Sequence, residues 1–344
     1  MINLMNEDRF KSLVSSFSSL DPVLVLGDVG IDKYTFGEVN RISPEAPVPI
    51  LEVTSEWPKL GLAANVSDNL GKLGVSSTLL SVIGDDNYGD MLENLLEENN
   101  LSTWGLVRSN ERKTTFKERI VTHAQQICRI DYESKEEVSS TDIDKVLLRA
   151  SDFLTDHSSL IIEDYGKGLL SHDLCSKVIS LYREKGKFVA IDPSRNANAL
   201  TYKGANLLKP NRLEAEHLVK DLGYREKKIS KIIEILLDKL DLDMVVVTLG
   251  AEGMAYMDRQ NRDSLVTVIP TLAAEVFDVS GAGDTAISVL TSSLLAGANL
   301  AEACFIANCA SGVVVGKRGT ACVEQSELFS FYKKVANLQQ DLSV

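Results

Sequence analysis

The sequence predicts an α/β fold in which a mostly parallel central sheet is covered by helices on both faces. Three observations predict it. Short apolar runs rich in β-branched residues alternate with segments of helical period, the pattern of parallel strands joined by crossover helices. Those runs are apolar on both sides, as strands buried between two helical layers must be. A chain of 344 residues, 44% hydrophobic and 25% charged, is long enough to bury one large core.

Residues 1–21 read as a helical extension ahead of a domain over 22–332, whose first strand is "VLVLG" (23–27). Tyr34 to Glu56 carries Pro44, Pro47 and Pro49 and no helical period, while "TTFKERIVTHAQQICRIDYE" (114–133) reads as a strand pair turning near Ala124 to Gln126. Together these predict a small sheet projecting from the domain, either a lid that keeps water from a site or a hairpin that packs on the core or on another subunit. The strand "TLLSVIG" (78–84) leads to a helix over Gly89 to Asn99, and "SLIIED" (159–164) to one over Ser171 to Lys185. "KFVAID" (187–192) and "ANLLK" (205–209) follow as strands, then a helix over Glu226 to Leu240 and the strand "MVVVTLG" (244–250). A further helix opens after "GAGD", with Ile287, Leu290 and Leu294 on its apolar face. The polar tail, 333–344, is expected to fray.

A net charge of -13 opposes binding to nucleic acid or to anionic lipid, which requires a basic face. The apolar runs fall far below the roughly 20 residues of a membrane span, and the N-terminus has no apolar signal core, so the expected compartment is the cytoplasm. Five cysteines without a C-x-x-C pair read as free thiols used for packing. An anionic small ligand needs a local cluster of donors, for which Lys167, Lys209, Lys317 and Arg318 are candidates.

Ligands on parallel sheets bind beyond the carboxyl ends of strands, so the residues just after each run carry the functional signal. In "VSGAGDT" the residues Gly281, Ala282 and Gly283 bare the start of a helix, whose unpaired N–H groups and dipole suit phosphate oxygens. Asp284, held ionised at that mouth, is placed to accept the proton of a hydroxyl attacking a phosphoryl group; the competing reading is a helix N-cap. "KPNRLEAE" sets Asn211 three residues before Glu214 at a helix start, which suits a hydrated magnesium ion or, alternatively, a capping box. "VVVTLGAEG" offers Thr248, Gly250 and Gly253 to nucleotide phosphates, and "ANCASGVVVGKRGT" offers a small-residue helix with Asn308, then Lys317, as a surface for a purine.

On these motifs the chain resembles the ribokinase/PfkB family of carbohydrate kinases from about Pro22 to Phe331. The resemblance implies a ribokinase-like three-layer sandwich with a small β-sheet lid, and ATP and Mg²⁺ as cofactors, with a monovalent cation as an added expectation. It assigns the anion hole and catalytic base to Gly281, Ala282, Gly283 and Asp284, and magnesium and phosphate to Asn211 and Glu214. "GLAANV" (61–66) is similar to the family's sugar-binding glycine motif, giving Gly61 and Asn65, with Leu62 where the family has a second glycine. A narrower similarity runs through "GDVGIDKYTFGEVNRISPEAPVPILEV", "QQICRIDYE", "EDYGKG", "IDPS" and "VVVGKRGT" to the kinase portion of enzymes that phosphorylate D-glycero-D-manno-heptose 7-phosphate at the anomeric hydroxyl, on the route to ADP-heptose of lipopolysaccharide. It implies Asp32 and Asp164 on the sugar side and Lys117, Arg119, Arg129 and Lys167 as candidates for the distal phosphate. Relatives that carry a fused nucleotidyltransferase have an H-x-G-H signature; His123, His157, His172 and His217 form none, so a stand-alone kinase, paired as a homodimer, is expected. The alternatives are another sugar or nucleoside kinase of the same fold (fructose, ribose or adenosine type) and a sugar-binding regulator without catalysis.

Overall fold

The computed structural model describes residues 5–122, 125–261, 267–273, 277–317, 319 and 321–341. The strands are β1 (Val23–Gly27), β2 (Val29–Ile42), β3 (Pro49–Leu62), β4 (Ser77–Gly84), β5 (Leu106–Ser109), β6 (Thr115–Val121), β7 (Gln126–Tyr132), β8 (Ser159–Glu163), β9 (Phe188–Asp192), β10 (Leu207–Leu208), β11 (Met244–Thr248), β12 (Met254–Asp258) and β13 (Thr267–Ile269). The helices are α1 (Glu7–Ser15), α2 (Ala63–Lys72), α3 (Asn87–Glu98), α4 (Ser140–Phe153), α5 (His172–Glu184), α6 (Arg212–Asp221), α7 (Ile229–Lys239), α8 (Ala282–Leu295), α9 (Leu300–Val314) and α10 (Gln325–Asp341).

The doubly apolar runs lie where two-sided burial puts them. In β1, Val23 and Val25 enter one core while Leu24 and Leu26 enter the other, and β8 and β11 divide their side chains in the same way. One core gathers α1, α2, α3, α8, α9 and α10, and the other gathers α4 to α7. Nine strands make the sheet between them, in the order β13-β12-β11-β10-β9-β8-β1-β4-β5. The run from β11 to β5 pairs in parallel; β12 and β13 are antiparallel at one edge. The carboxyl ends of β1, β8, β9, β10 and β11 therefore open on one rim.

The small sheet is real and larger than the sequence suggested, in the order β3-β2-β6-β7. Strand β2 begins two residues after β1 ends and pairs along 13 of its 14 residues with β3, so the sheet grows directly from the rim of the main one. Directly opposed residues share a face, which puts Asp32, Lys59, Lys117 and Asp131 in one row and Tyr34, Trp57, Arg119 and Arg129 in the next. Trp57 stacks on Phe36 with ring centroids 4.7 Å apart. The turn expected near Ala124 lies partly outside the described residues.

Four expectations change. Helix α1 is no detached extension: Phe10 and Phe17 are fully buried, and the Phe10 ring lies 4.4 Å from that of Tyr332. The chain after Tyr332 does not fray at once but continues as α10 to Asp341, with Val335 buried and Ala336 packed against the core that holds Tyr332. Strand β10 shrinks to two residues, since Pro210 cannot donate to a ladder. Of the five free cysteines, Cys175, Cys304 and Cys309 pack in the cores as read, whereas Cys128 is exposed on the small sheet. Among the described residues no helix is long and apolar enough to cross a membrane.

Candidate active site

Gly281 starts α8 in the left-handed region, φ 79°, where a side chain would be strained, and no side chain caps the helix. The first intrahelical bond runs from the Thr285 N–H to the Gly281 carbonyl, and the Ala282 N–H donates to Val279, so helix geometry leaves the N–H groups of Gly283 and Asp284 as the free pair at the mouth. Asp284 is 6% exposed and does not cap its own helix. Its Oδ2 accepts from Asn65 Nδ2 at 2.5 Å and its Oδ1 from the Tyr165 hydroxyl at 2.7 Å. The sequence reading had the dipole holding this carboxyl in its charged form. Burial instead pushes its pKa up, against the opposing pull of Asn65, Tyr165 and Lys209.

Around the mouth lies a group of buried charges from the ends of β8, β9 and β10. Lys209 Nζ sits 2.6 Å from Asp192 Oδ2. Burial would lower the lysine's pKa, but Asp192 and Glu163 overturn this and keep it charged. A Cβ added at Gly283 would lie 3.6 Å from both Lys209 Nζ and Asp192 Oδ2, so the bare glycine leaves this pair facing the helix start. Glu163 is 3% exposed with Oε2 lacking a hydrogen-bond partner, and burial drives its pKa well above the ordinary range. A lysine among three acids gives the phosphate cradle a fixed cation that the glycine motif alone does not supply.

On one side of the mouth runs a groove of about 380 Å³, mostly apolar, bounded by Thr248, Gly250, Gly253, Asn308, Ala282 and Gly283. Its volume and mostly apolar lining are of the kind that accepts a small-molecule ligand, with the helix mouth at Gly283 on its border. Asn211 and Glu214 close on each other at the start of α6: Asn211 Oδ1 accepts the Glu214 N–H at 3.0 Å and Glu214 Oε2 accepts the Asn211 N–H at 2.8 Å. The capping box offered as the alternative is therefore formed, and each oxygen still keeps a lone pair. Among the described residues no cluster of three or more His, Cys, Asp or Glu could hold a metal ion by itself. A magnesium ion fits here only as one carried mainly by phosphates and water, for which these hard oxygens are suitable.

Residues 39–326 match the pfkB family carbohydrate kinase pattern. The chain belongs to the pfkB family of carbohydrate kinases. It is 38% identical over 309 residues to the bifunctional protein HldE of Aliarcobacter butzleri, covering 90% of this chain and 64% of that protein. It is 40% identical over 319 residues to the bifunctional protein HldE of Desulfatibacillum aliphaticivorans, covering 92% and 63%. The chain thus spans a little under two thirds of the length of these curated relatives. The tetrameric inhibited form of phosphofructokinase-2 from Escherichia coli shares the fold with a TM-score of 0.74 at 19% identity, over 92% of this chain and 99% of that one. The architecture is the ribokinase-like one, a mostly parallel sheet with helices on both faces and a small second sheet.

In this kinase fold the sequence-read residues divide into those brought together and those not. Asn65 reaches Asp284, and Asp32 adds to the acidic field on it. A Cβ on Gly61 would approach Asp32 Oδ2 to 3.0 Å, and Leu62, standing where the family has glycine, keeps a glycine-like φ of 57°. Thr248, Gly250, Gly253 and Asn308 line the groove, but Lys317 does not: its ammonium is held by the Cys322 carbonyl and Glu327 beside a separate cleft. Asp164 accepts the Gly166 N–H on one oxygen and the Tyr202 hydroxyl on the other, which fastens its loop. Of the four phosphate candidates, Arg119 pairs with Asp32 at 2.6 Å, Lys167 with Glu133 at 2.6 Å and Arg129 with Asp131 at 2.8 Å. Lys117 is half-buried, with burial and then Lys167 lowering its pKa. Arg318 lies outside the described residues. The sequence reading missed Glu163, Tyr165 and Asp192, although each stands at or just after the end of a read strand, where the strand-end rule directs attention.

Proposed function

We propose that the chain transfers the γ-phosphoryl of ATP to the anomeric hydroxyl of D-glycero-D-manno-heptose 7-phosphate. The observation that carries the phosphoryl-transfer reading is Asp284: a buried carboxyl at a bare helix mouth that leaves its own helix uncapped and bonds to the sugar-side Asn65. Asp284 removes the proton of the attacking hydroxyl, and its raised proton affinity suits it to that task. The Gly283 and Asp284 N–H groups and Lys209 stabilise the charge on the phosphoryl in transit. The groove from Thr248 to Gly283 would hold ATP, and Asn211 and Glu214 would hold, through water, a magnesium ion that would supply charge neutralisation to the triphosphate.

The heptose reading is supported by the long motif similarity around "PEAPVPI" and "EDYGKG" and by the likeness to the HldE proteins. Lys117 and Lys167, close enough for each charge to act on the other, suit a distal phosphate that would relieve their repulsion. Arg119 joins them only when a sugar hydroxyl takes its place on Asp32. The exposed Ile42 and Val53 of the small sheet favour pairing of two copies through it. An ADP-release assay with heptose 7-phosphate, fructose 6-phosphate and ribose tests the reading. The heptose phosphate should give the highest kcat/KM; a preference for ribose or fructose 6-phosphate overturns the substrate, and no turnover on any sugar overturns the kinase.

A further inference from the structure

Asp284 is held by two donors, one per oxygen. Asn65 belongs to a sugar-side motif; Tyr165 lies inside "EDYGKG", where roles went only to its neighbours Asp164 and Lys167. Its hydroxyl donates to Asp284 Oδ1 at 2.7 Å from the loop between β8 and α5. That loop is fastened from both ends. Asp28, 3% exposed, accepts the Lys167 N–H at 2.9 Å and the Leu169 N–H at 3.3 Å. Asp164 accepts the Gly166 N–H at 2.7 Å and the Tyr202 hydroxyl at 2.6 Å. Gly166 and Gly168 both take positive φ, 64° and 94°, and a Cβ on Gly168 would collide with the Glu136 carbonyl. Two buried carboxylates and two left-handed glycines thus fix the backbone on either side of Tyr165.

We infer that Tyr165 is a positioning residue for the base: with Asn65 it clamps both oxygens of Asp284, so that the carboxylate presents a fixed lone pair to the acceptor hydroxyl. The inference rests on the kinase reading. The other side of the clamp is equally ordered, since Asn69 Nδ2 donates to the Asn65 carbonyl at 2.8 Å and Thr285 Oγ1 donates to Asn69 Oδ1 at 2.8 Å. The charged groups acting on Asp284 are Lys209 from the end of β10, Asp32 from β2, Glu163 from β8 and Asp192 from β9. Three of the four are acids, whose field favours a protonated Asp284. The Tyr165 hydrogen bond stabilises the ionised form against it.

The test is Tyr165→Phe in the full chain, with Tyr182→Phe as control because that phenol is buried elsewhere and donates only to the Ala150 carbonyl at 3.3 Å. Two readouts are taken: kcat against pH on the best sugar substrate, and the ¹³C-carboxyl NMR titration of Asp284 in ligand-free protein, assigned with Asp284→Asn. Tyr165→Phe is expected to lower kcat about tenfold or more, with KM for the nucleotide unchanged. The acid limb of the rate profile and the carboxyl titration should both move to higher pH, since a hydrogen bond to the charged form is lost. Tyr182→Phe should move neither. A wild-type kcat in Tyr165→Phe, or a lower kcat with both titrations unmoved, reduces Tyr165 to a space-filling residue and overturns the inference. Absence of turnover by the wild-type protein would sink the kinase reading instead, and the NMR titration then still decides whether Tyr165 clamps Asp284.

Discussion

Asp284 is the third residue of α8, a position from which an aspartate can cap its own helix, yet its oxygens are committed to Asn65 and Tyr165. Asp284→Asn keeps the size and removes the base; kcat should fall about a hundredfold or more. Nucleotide affinity, measured by titration, should change little, because the side chain turns away from the groove toward Asn65. A variant with near-normal kcat would return the residue to a structural role. Leu62 makes a second residue-scale case. Its φ of 57° is one that glycine takes freely and leucine does not, while its side chain is 8% exposed. Both Leu62→Ala and Leu62→Gly lose that burial, but glycine relieves the backbone. Chemical denaturation should therefore find Leu62→Gly more stable than Leu62→Ala by about 1 kcal/mol, the reverse of the order in an ordinary helix or strand. Asp284, Asn65 and Leu62 were legible because glycine spacing marks a backbone that something approaches closely. Tyr165 was in view inside "EDYGKG" but passed over for Asp164 and Lys167, because sequence does not say which side chain of a glycine-bounded loop turns inward.

At the scale of elements, the start of α6 forms a capping box, and the magnesium role proposed for the same pair can be separated from it. Asn211→Ala should lower the unfolding free energy by about 1 kcal/mol through loss of the cap. If Asn211 also serves the magnesium nucleotide, its KM should rise. Asn211→Ser separates the two: serine still caps and should restore stability but not KM. Recovery of both would leave the pair as a cap alone. Five strands of the main sheet, β1, β4, β8, β9 and β11, were legible to within two residues, since burial on both faces leaves an unbroken apolar run; the edge strands β5, β12 and β13 were not read. Strand β10 was overread because the apolar signal of "ANLLK" takes no account of Pro210, which follows at once and cannot donate to a ladder. The small sheet was underread: β2 and β3 carry polar residues such as Glu38, Asn40 and Glu52 that the apolar template does not count, and their pairing holds through two register shifts.

For the whole molecule, the rim of the sheet concentrates buried acids in a chain of net charge -13. Burial raises the pKa of Asp28, Glu163, Asp164, Asp192 and Asp284 alike, that of Asp28 from 3.8 to about 6. Between the unfolded value of 3.8 and the folded value of about 6 the native state binds the extra proton, so this contribution is present at low pH and lost as pH rises through the window. For Asp28 alone the loss is on the order of 3 kcal/mol. Carboxylates with the opposite shift, such as Glu302 beside Arg9, reverse the trend only in stronger acid. Urea unfolding should accordingly give a lower midpoint at pH 8 than at pH 5; an equal or higher one would mean that these acids are stabilised as charges in the fold. What joins the two ends of the chain, Phe10 against Tyr332, was not legible, because periodicity names a helix's apolar face and not its partner.

The central claim is that Asp284 takes the proton of a sugar hydroxyl as a nucleotide's terminal phosphoryl crosses to it. ³¹P NMR of wild-type protein and Asp284→Asn, each with ATP, magnesium and heptose 7-phosphate, tests it most directly. The account predicts a second sugar-phosphate resonance growing in step with ADP in the wild type and slowed about a hundredfold or more in the variant. Equal rates in the two proteins, or ADP formed with no new sugar-phosphate resonance, would contradict it.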